Sequence, residues 1–280
     1  MTMKRIIRAA FAAILMCPLV GCGEQKSSEE QAVADSDSVE IFPASADSLP
    51  VEEEQAPPPA ADGLFDDFIY NFMRNRSFQL SRITFPLTYT VDGRDSVIRR
   101  SDWHYDRLYA DRDVYTMIFD DRRSVNLEKD TTLRKVMVEW IDLPRSRVKQ
   151  YHFHKRQGRW LLTSLSNQLF SDSEDHGFYE FYSRFATDEA YQQAHVADPL
   201  LFTTYDYDNF QEIDGVLAPE QWPDFRPELP SHVITNVVYG GGKAHGDYRA
   251  MVISTPSAGM SCTLEFRRRD GEWMLTSMKN

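Results

Sequence analysis

A twelve-residue phrase occurs twice in this chain. It stands once as Arg156-Gln157-Gly158-Arg159-Trp160-Leu161-Leu162-Thr163-Ser164-Leu165-Ser166-Asn167, and again as Arg269-Asp270-Gly271-Glu272-Trp273-Met274-Leu275-Thr276-Ser277-Met278-Lys279-Asn280. Both copies read Arg-x-Gly-x-Trp-x-Leu-Thr-Ser-x-x-Asn. A run of mixed polar and apolar residues precedes each, so the phrase reads as the turn and last strand of a β-hairpin, with glycine at the tip where a positive φ is required. A chain that ends two stretches in the same way is expected to build the same unit twice.

Matches elsewhere extend the repeat. Phe65, Phe68 and Phe72 correspond to Phe178, Phe181 and Phe185, Phe78-Gln79 to Tyr191-Gln192, and Pro86-Leu87 to Pro199-Leu200, all at the offset of 113 that separates Arg156 from Arg269. Between them the offset becomes 119, pairing Trp103 with Trp222 and residues 114–119 with 233–238. Length changes fall between the matched segments, as a structural repeat requires.

Phe65, Phe68, Ile69, Phe72 and Met73 form the apolar stripe of an amphipathic helix, with Asp62 placed to cap it. A shorter helix is expected from Ser77 to Pro86. Strands follow at 87–90, 96–104, 114–119 and 136–143, then in the long hairpin 147–166. With 280 residues, 42% of them hydrophobic, the chain is long enough for two cores. The expected domains are residues 62–170 and 171–280. Helices gathered on one face of a curled antiparallel sheet place each in the α+β class.

The first 21 residues read as a signal peptide. Lys4, Arg5 and Arg8 precede the apolar run 9–16, which is too short to span a bilayer. Leu19-Val20-Gly21-Cys22 resembles a bacterial lipobox, which implies a lipid on Cys22 as the first residue of the mature chain; an ordinary secretory signal cut nearby is the alternative. Processing there removes three basic and no acidic side chains, taking the formal charge from −12 to −15. Residues 22–61 read as the lipidated cysteine and an acidic tether. Beyond Cys22 the segment has ten acids against Lys26 and includes Pro57-Pro58-Pro59, and a flexible chain of that length spans about 35 Å root-mean-square. Ser27-Ser28-Glu29-Glu30 resembles the acidic export signal of Bacteroidota lipoproteins, and Asp37-Ser38-Val39 and Asp47-Ser48-Leu49 resemble the short O-glycosylation sequon of that phylum.

Element order, unit length and the closing Trp hairpin resemble the nuclear-transport-factor-2-like, or cystatin-like, α+β roll. Together with the lipobox and tether they resemble an uncharacterised lipoprotein family of gut Bacteroidota. That resemblance implies an outer-membrane address in the cell envelope, and it carries no activity to transfer.

Chemistry is sparsely marked. The chain lacks a basic cluster beyond its N-terminus and Arg267-Arg268-Arg269, which excludes a nucleic-acid face. Cys17 leaves with the signal and Cys22 takes lipid, so Cys262, on the apolar face of a strand, is left without a disulfide partner. His152 and His154 share a strand face, but the repeat aligns them with Glu265 and Arg267 on the polar side and no third ligand is placed, so no metal site is expected. Gly240-Gly241-Gly242-Lys243 lacks phosphate-loop spacing and reads as a hairpin loop. Asp206, Asp208, Glu212 and Asp214 lack the EF-hand pattern and read as a solvated acidic loop. Neither G-x-S-x-G nor H-E-x-x-H occurs.

Rolls of this kind can enclose a cavity between helix and sheet, and Trp103, Tyr105, Tyr115 and Trp140 are the candidate lining in the first domain, although core packing is the usual fate of such aromatics. Trp160 and Trp273 read as packing anchors that close each sheet. No catalytic residue and no cofactor is assigned. The expectation is a lipid-anchored binding or protein-interaction module, its domains packed on each other, held to the membrane by lipid and offering a site to a small apolar ligand or an envelope protein. Alternatives are a small-molecule isomerase or dehydratase using a roll cavity, or a purely structural envelope lipoprotein.

Overall fold

In a computed structural model, residues 61–121, 128–240, 246–255 and 259–280 are described. The signal peptide, Cys22, almost all of the tether and Gly241-Gly242-Lys243 lie outside them. Ala61, counted above with the tether, is already buried in the first core.

The first half runs α1 (Phe65–Arg74), α2 (Arg76–Ser81), β1 (Ile83–Val91), β2 (Arg94–Ile98), β3 (Tyr115–Phe119), β4 (Lys135–Asp142), β5 (Arg147–Arg156) and β6 (Arg159–Leu169). The second repeats it as α3 (His176–Phe185), α4 (Glu189–Ala194), β7 (Val196–Asp206), β8 (Gln211–Leu217), β9 (Val233–Tyr239), β10 (Tyr248–Thr255), β11 (Met260–Arg269) and β12 (Glu272–Lys279). The predicted stripe of α1 is buried along its length.

Local corrections have physical causes. Asp62 does not cap α1, whose N-cap is Leu64. Its carboxylate instead grips the Arg82 guanidinium through two 2.8 Å bonds and accepts the Trp160 N–H at 2.9 Å. Asn75 caps α2, accepting from the Phe78 N–H at 2.7 Å. Pro86 does not end a helix but lies inside β1, as Pro199 lies inside β7. The strand expected over 96–104 stops at Ile98, and a 3-10 turn follows at Arg100–Asp102.

The twice-used phrase now has a residue-by-residue explanation. Gln157 and Gly158 both have positive φ, as do Asp270 and Gly271, so each hairpin turns on a two-residue loop of type I′ whose twist suits the flanking strands. The paired register skips Thr163 in the first hairpin and Thr276 in the second. Each threonine is thus the extra residue of a β-bulge, and each hydroxyl donates across the hairpin, Thr163 to the His152 carbonyl and Thr276 to that of Glu265. Trp160 and Trp273 are buried and meet the first phenylalanine of their helices edge-on, 5.1 Å from Phe65 and 5.3 Å from Phe178. Gln79 and Gln192 also match: each is buried and accepts the indole N–H of the offset-119 tryptophan, Trp103 or Trp222.

The sheets are not each made by one half. One has the order β2-β1-β6-β5-β4-β9, the other β8-β7-β12-β11-β10-β3. Each therefore takes five strands from one half and its last strand from the other. Where β3 and β9 cross, Thr116 and Thr235 bond each other reciprocally: each hydroxyl donates to the other's carbonyl and accepts the other's N–H, over 2.7–3.0 Å. The exchange carries side chains into the opposite cores. Val237 and Tyr239 pack in the first, and Ile118 packs in the second with Ile141, Leu143, Val148 and Phe170. Both halves belong to one compact unit.

Candidate functional site

Pairing puts alternate residues of β4, β5 and β6 on the face of the first sheet that is turned away from α1. Lys135, Met137 and Glu139 lie opposite His154, His152 and Gln150. The face becomes apolar toward Ile141 and Val148, where the second core begins. Its polar part floors a cleft of about 660 Å³ at the junction of the halves, walled by Ile118 to Asp120 at the end of β3 and by residues 172–175 with Tyr179 at the start of α3.

Glu139 is the centre of this floor. It is buried, and three neutral donors reach its carboxyl: Gln150 Nε2 at 3.0 Å on Oε1, then Tyr179 Oη at 2.9 Å and Asn236 Nδ2 at 3.0 Å on Oε2. Asn236 is oriented by the Ile118 N–H, which donates to its Oδ1 at 2.9 Å. Burial pushes the Glu139 carboxyl above the ordinary range, against the opposing pull of those three donors. The Tyr179 hydroxyl is pushed up as well, by its own burial and by the Glu139 charge.

A relay leads outward from the carboxyl. Ser166 Oγ donates to Gln150 Oε1 at 2.9 Å, so the 3.1 Å contact between Ser166 and His152 Nε2 places the imidazole proton on Nε2. Thr163 Oγ1 lies 2.6 Å from His154 Nδ1 and 3.1 Å from the His152 carbonyl. His152 Nδ1 and His154 Nε2 are the ring nitrogens outside these bonds. Both imidazoles are held below the usual histidine range, chiefly by burial, with His154 opposing charge on His152 and Lys135 and Arg156 opposing it on His154. They are neutral acceptors at neutral pH.

The cleft wall adds Asp120, Asp172, Glu174 and an Asp175–Arg249 ion pair at 2.6 Å. Among the described lining residues, five carboxyl groups stand beside Lys135 and Arg249, the latter held by Asp175. Acceptors dominate.

The repeat supplies an internal control for Glu139. In the first sheet the row across β9, β4 and β5 is Asn236, Glu139, Gln150; the same row in the second sheet, across β3, β10 and β11, is Met117, Val252, Thr263. The second sheet closes with a half-buried valine at this position, where the first has a buried carboxyl.

The four aromatics named from sequence do not line this cleft. Trp103 donates to Gln79, Tyr105 donates to the Met73 carbonyl at 2.7 Å, Tyr115 stacks on Tyr109, and Trp140 lies under the Arg112 guanidinium. Trp103 and Trp140 pack, partly buried, against the first core. Burial pushes the Asp106 carboxyl up, but Lys149, the Tyr151 hydroxyl and the Leu108 N–H outweigh it and hold the group below its ordinary value. Trp160 and Trp273 lie in the cores, their indole N–H groups without a hydrogen-bond partner among the described residues. Cys262 is a buried free thiol that burial pushes up to about 12. Among the described residues no cluster of three or more metal-ligating side chains occurs. Sequence reasoning missed Glu139, Gln150, Tyr179 and Asn236 as a group; the one signal was that Glu139 and Gln150 break the repeat where Val252 and Thr263 stand.

An α+β fold with two curved sheets and this element order defines the class as NTF2-like. A solved structure of an NTF2-like protein from Bacteroides fragilis NCTC 9343 superposes with a TM-score of 0.72 at 35% identity, covering 80% of this chain and 98% of that one. The chain belongs to the family described as a domain of unknown function, DUF4348, whose model matches residues 45–280. No curated protein matches the sequence.

Proposed function

We propose that this protein is a lipid-anchored ligand-binding module of the bacterial cell envelope. The lipobox-like Leu19-Val20-Gly21-Cys22 and the acidic segment behind it support an outer-membrane lipoprotein held on a tether, in keeping with a relative from Bacteroides. Internal duplication of one roll accounts for the repeated phrase and for matching element order. The ligand site is the cleft over Glu139, and the observation that carries this reading is the replacement of Glu139 by Val252 in the sister sheet. The Glu139 carboxyl and the neutral imidazoles of His152 and His154 in this lining suit a small hydrogen-bond donor, cationic or polyhydroxylated. This revises the apolar ligand expected from sequence.

Thermal-shift screening of amines, amino sugars and polyols tests it. A binder raises the melting temperature of the wild type by mass action and not that of Glu139→Val, which copies the sister sheet; equal shifts in both, or none across the panel, contradict the proposal. The anchor is checked by radiolabelled palmitate, which the wild type incorporates and Cys22→Ala does not.

A second reading is acid–base catalysis in the same cleft. It is favoured by His152, whose Nε2 bonds Ser166 and whose Nδ1 is left as a neutral acceptor.

A further inference from the structure

The two halves differ most at their outer edges. The first sheet ends in β2, five residues long and bearing Arg94, with Asp92 in its turn bonded by Arg147 at 2.7 Å. The second sheet ends in β8, seven residues long, whose one strand neighbour among the described residues is β7. Six consecutive residues, Gln211 to Val216, are exposed. Ile213 and Val216 are among them, and at the hairpin tip Tyr207 and Phe210 are 79% and 78% exposed.

Sheet edges are ordinarily guarded by lysine, proline, bulges or brevity, because a row of unpaired N–H and C=O groups templates another strand. Residues 200–217 contain no Lys, Arg or Pro, and the β7–β8 pairing runs from Leu200↔Leu217 to Asp206↔Gln211 without a register shift. Large aromatics grouped at an exposed tip mark a contact surface.

Charge selects the occupant. The same stretch holds Asp206, Asp208, Glu212 and Asp214 and no base within it; Lys279 reaches Glu212 from β12 at 2.6 Å. A second copy of this chain would bring the same carboxylates against themselves, and the chain's own residues 23–60 carry ten acids against one lysine. Both have the wrong sign.

We propose that the β8 edge, with the aromatic tip of its hairpin, docks an extended segment of a partner protein in which basic and apolar residues alternate, by strand addition. Main-chain bonds to the edge supply affinity. Lysines or arginines opposite Glu212 and Asp214 supply register, their aliphatic stems pass over Val216 on the same face, and apolar residues between them cover Ile213 on the other.

The probe is a fluorescent peptide of about ten alternating Lys and Val residues, followed by anisotropy with the full chain. The peptide binds, and its affinity falls at least about tenfold from about 50 to about 500 mM NaCl. Proline at two central Val positions, or Glu in place of Lys, removes binding, since the first cannot donate to a strand ladder and the second reverses the charge. The double variant Ile213→Lys, Val216→Lys loses at least about tenfold in affinity with an unchanged circular dichroism spectrum. Absence of binding, equal binding of the proline peptide, or an unaffected double variant overturns the proposal. So does a dimer of the free chain that the double variant dissolves, because the edge then belongs to a second copy.

Discussion

Glu139 stands where the other sheet has Val252. Its counterpart Val252 is flanked by Met117 and Thr263, and all three are half-buried. Burying a carboxyl there costs stability unless donors surround it, and Gln150, Tyr179 and Asn236 do so. Because burial raises its folded-state value, the group binds its proton more tightly in the folded protein. Its contribution to stability is therefore fully present below the ordinary glutamate value of 4.5 and is lost as pH rises through the higher folded value. In urea denaturation across pH 5 to 8, about the range where most folded proteins are measured, the stability of wild type minus that of Glu139→Gln falls as pH rises. A difference that is flat or grows with pH contradicts the assignment.

At the scale of elements, the closing hairpins were the most legible part of the chain. Glycine at the tip, tryptophan facing the helix and the alternation around them all express local rules, so the two-residue turns, the strand limits and the buried face follow from sequence. Thr163 and Thr276 were legible only as repeated letters; their role as bulge residues depends on the partner strand's register. Asp62 illustrates the opposite failure. An acid before an amphipathic stripe reads as a helix cap, but Arg82 and the Trp160 N–H, both distant in sequence, compete for it more strongly. The roll aromatics could not be placed from sequence for a related reason: Trp103 and Tyr105 have partners on α2 and α1 that satisfy their polar atoms. The Glu139 group draws on β4, β5, α3 and β9, spread from residue 139 to residue 236, and no spacing rule announces such a set.

For the whole molecule, the repeat predicted two units and the structure interlocks them. An offset of 119 at β3 and β9, against 113 elsewhere, was the visible trace of connections that change length around the exchanged strands; that β3 and β9 change sheets could not be read from it, because a strand's own pattern does not name its neighbour. The exchange shapes the candidate cleft, where Tyr179 of one half and Asn236 on the exchanged strand meet Glu139 of the other. It also makes the halves mutually dependent, because each sheet alone would lack its last strand and each core would lose the residues carried on it. Expression of residues 62–170 and 171–280 separately and together is the most direct test. Neither half is expected to be a folded monomer, whereas mixing the two restores one cooperative unfolding transition in a one-to-one complex. Two halves that each melt cooperatively as monomers would contradict the interlocked fold and, with it, the site built at its crossing.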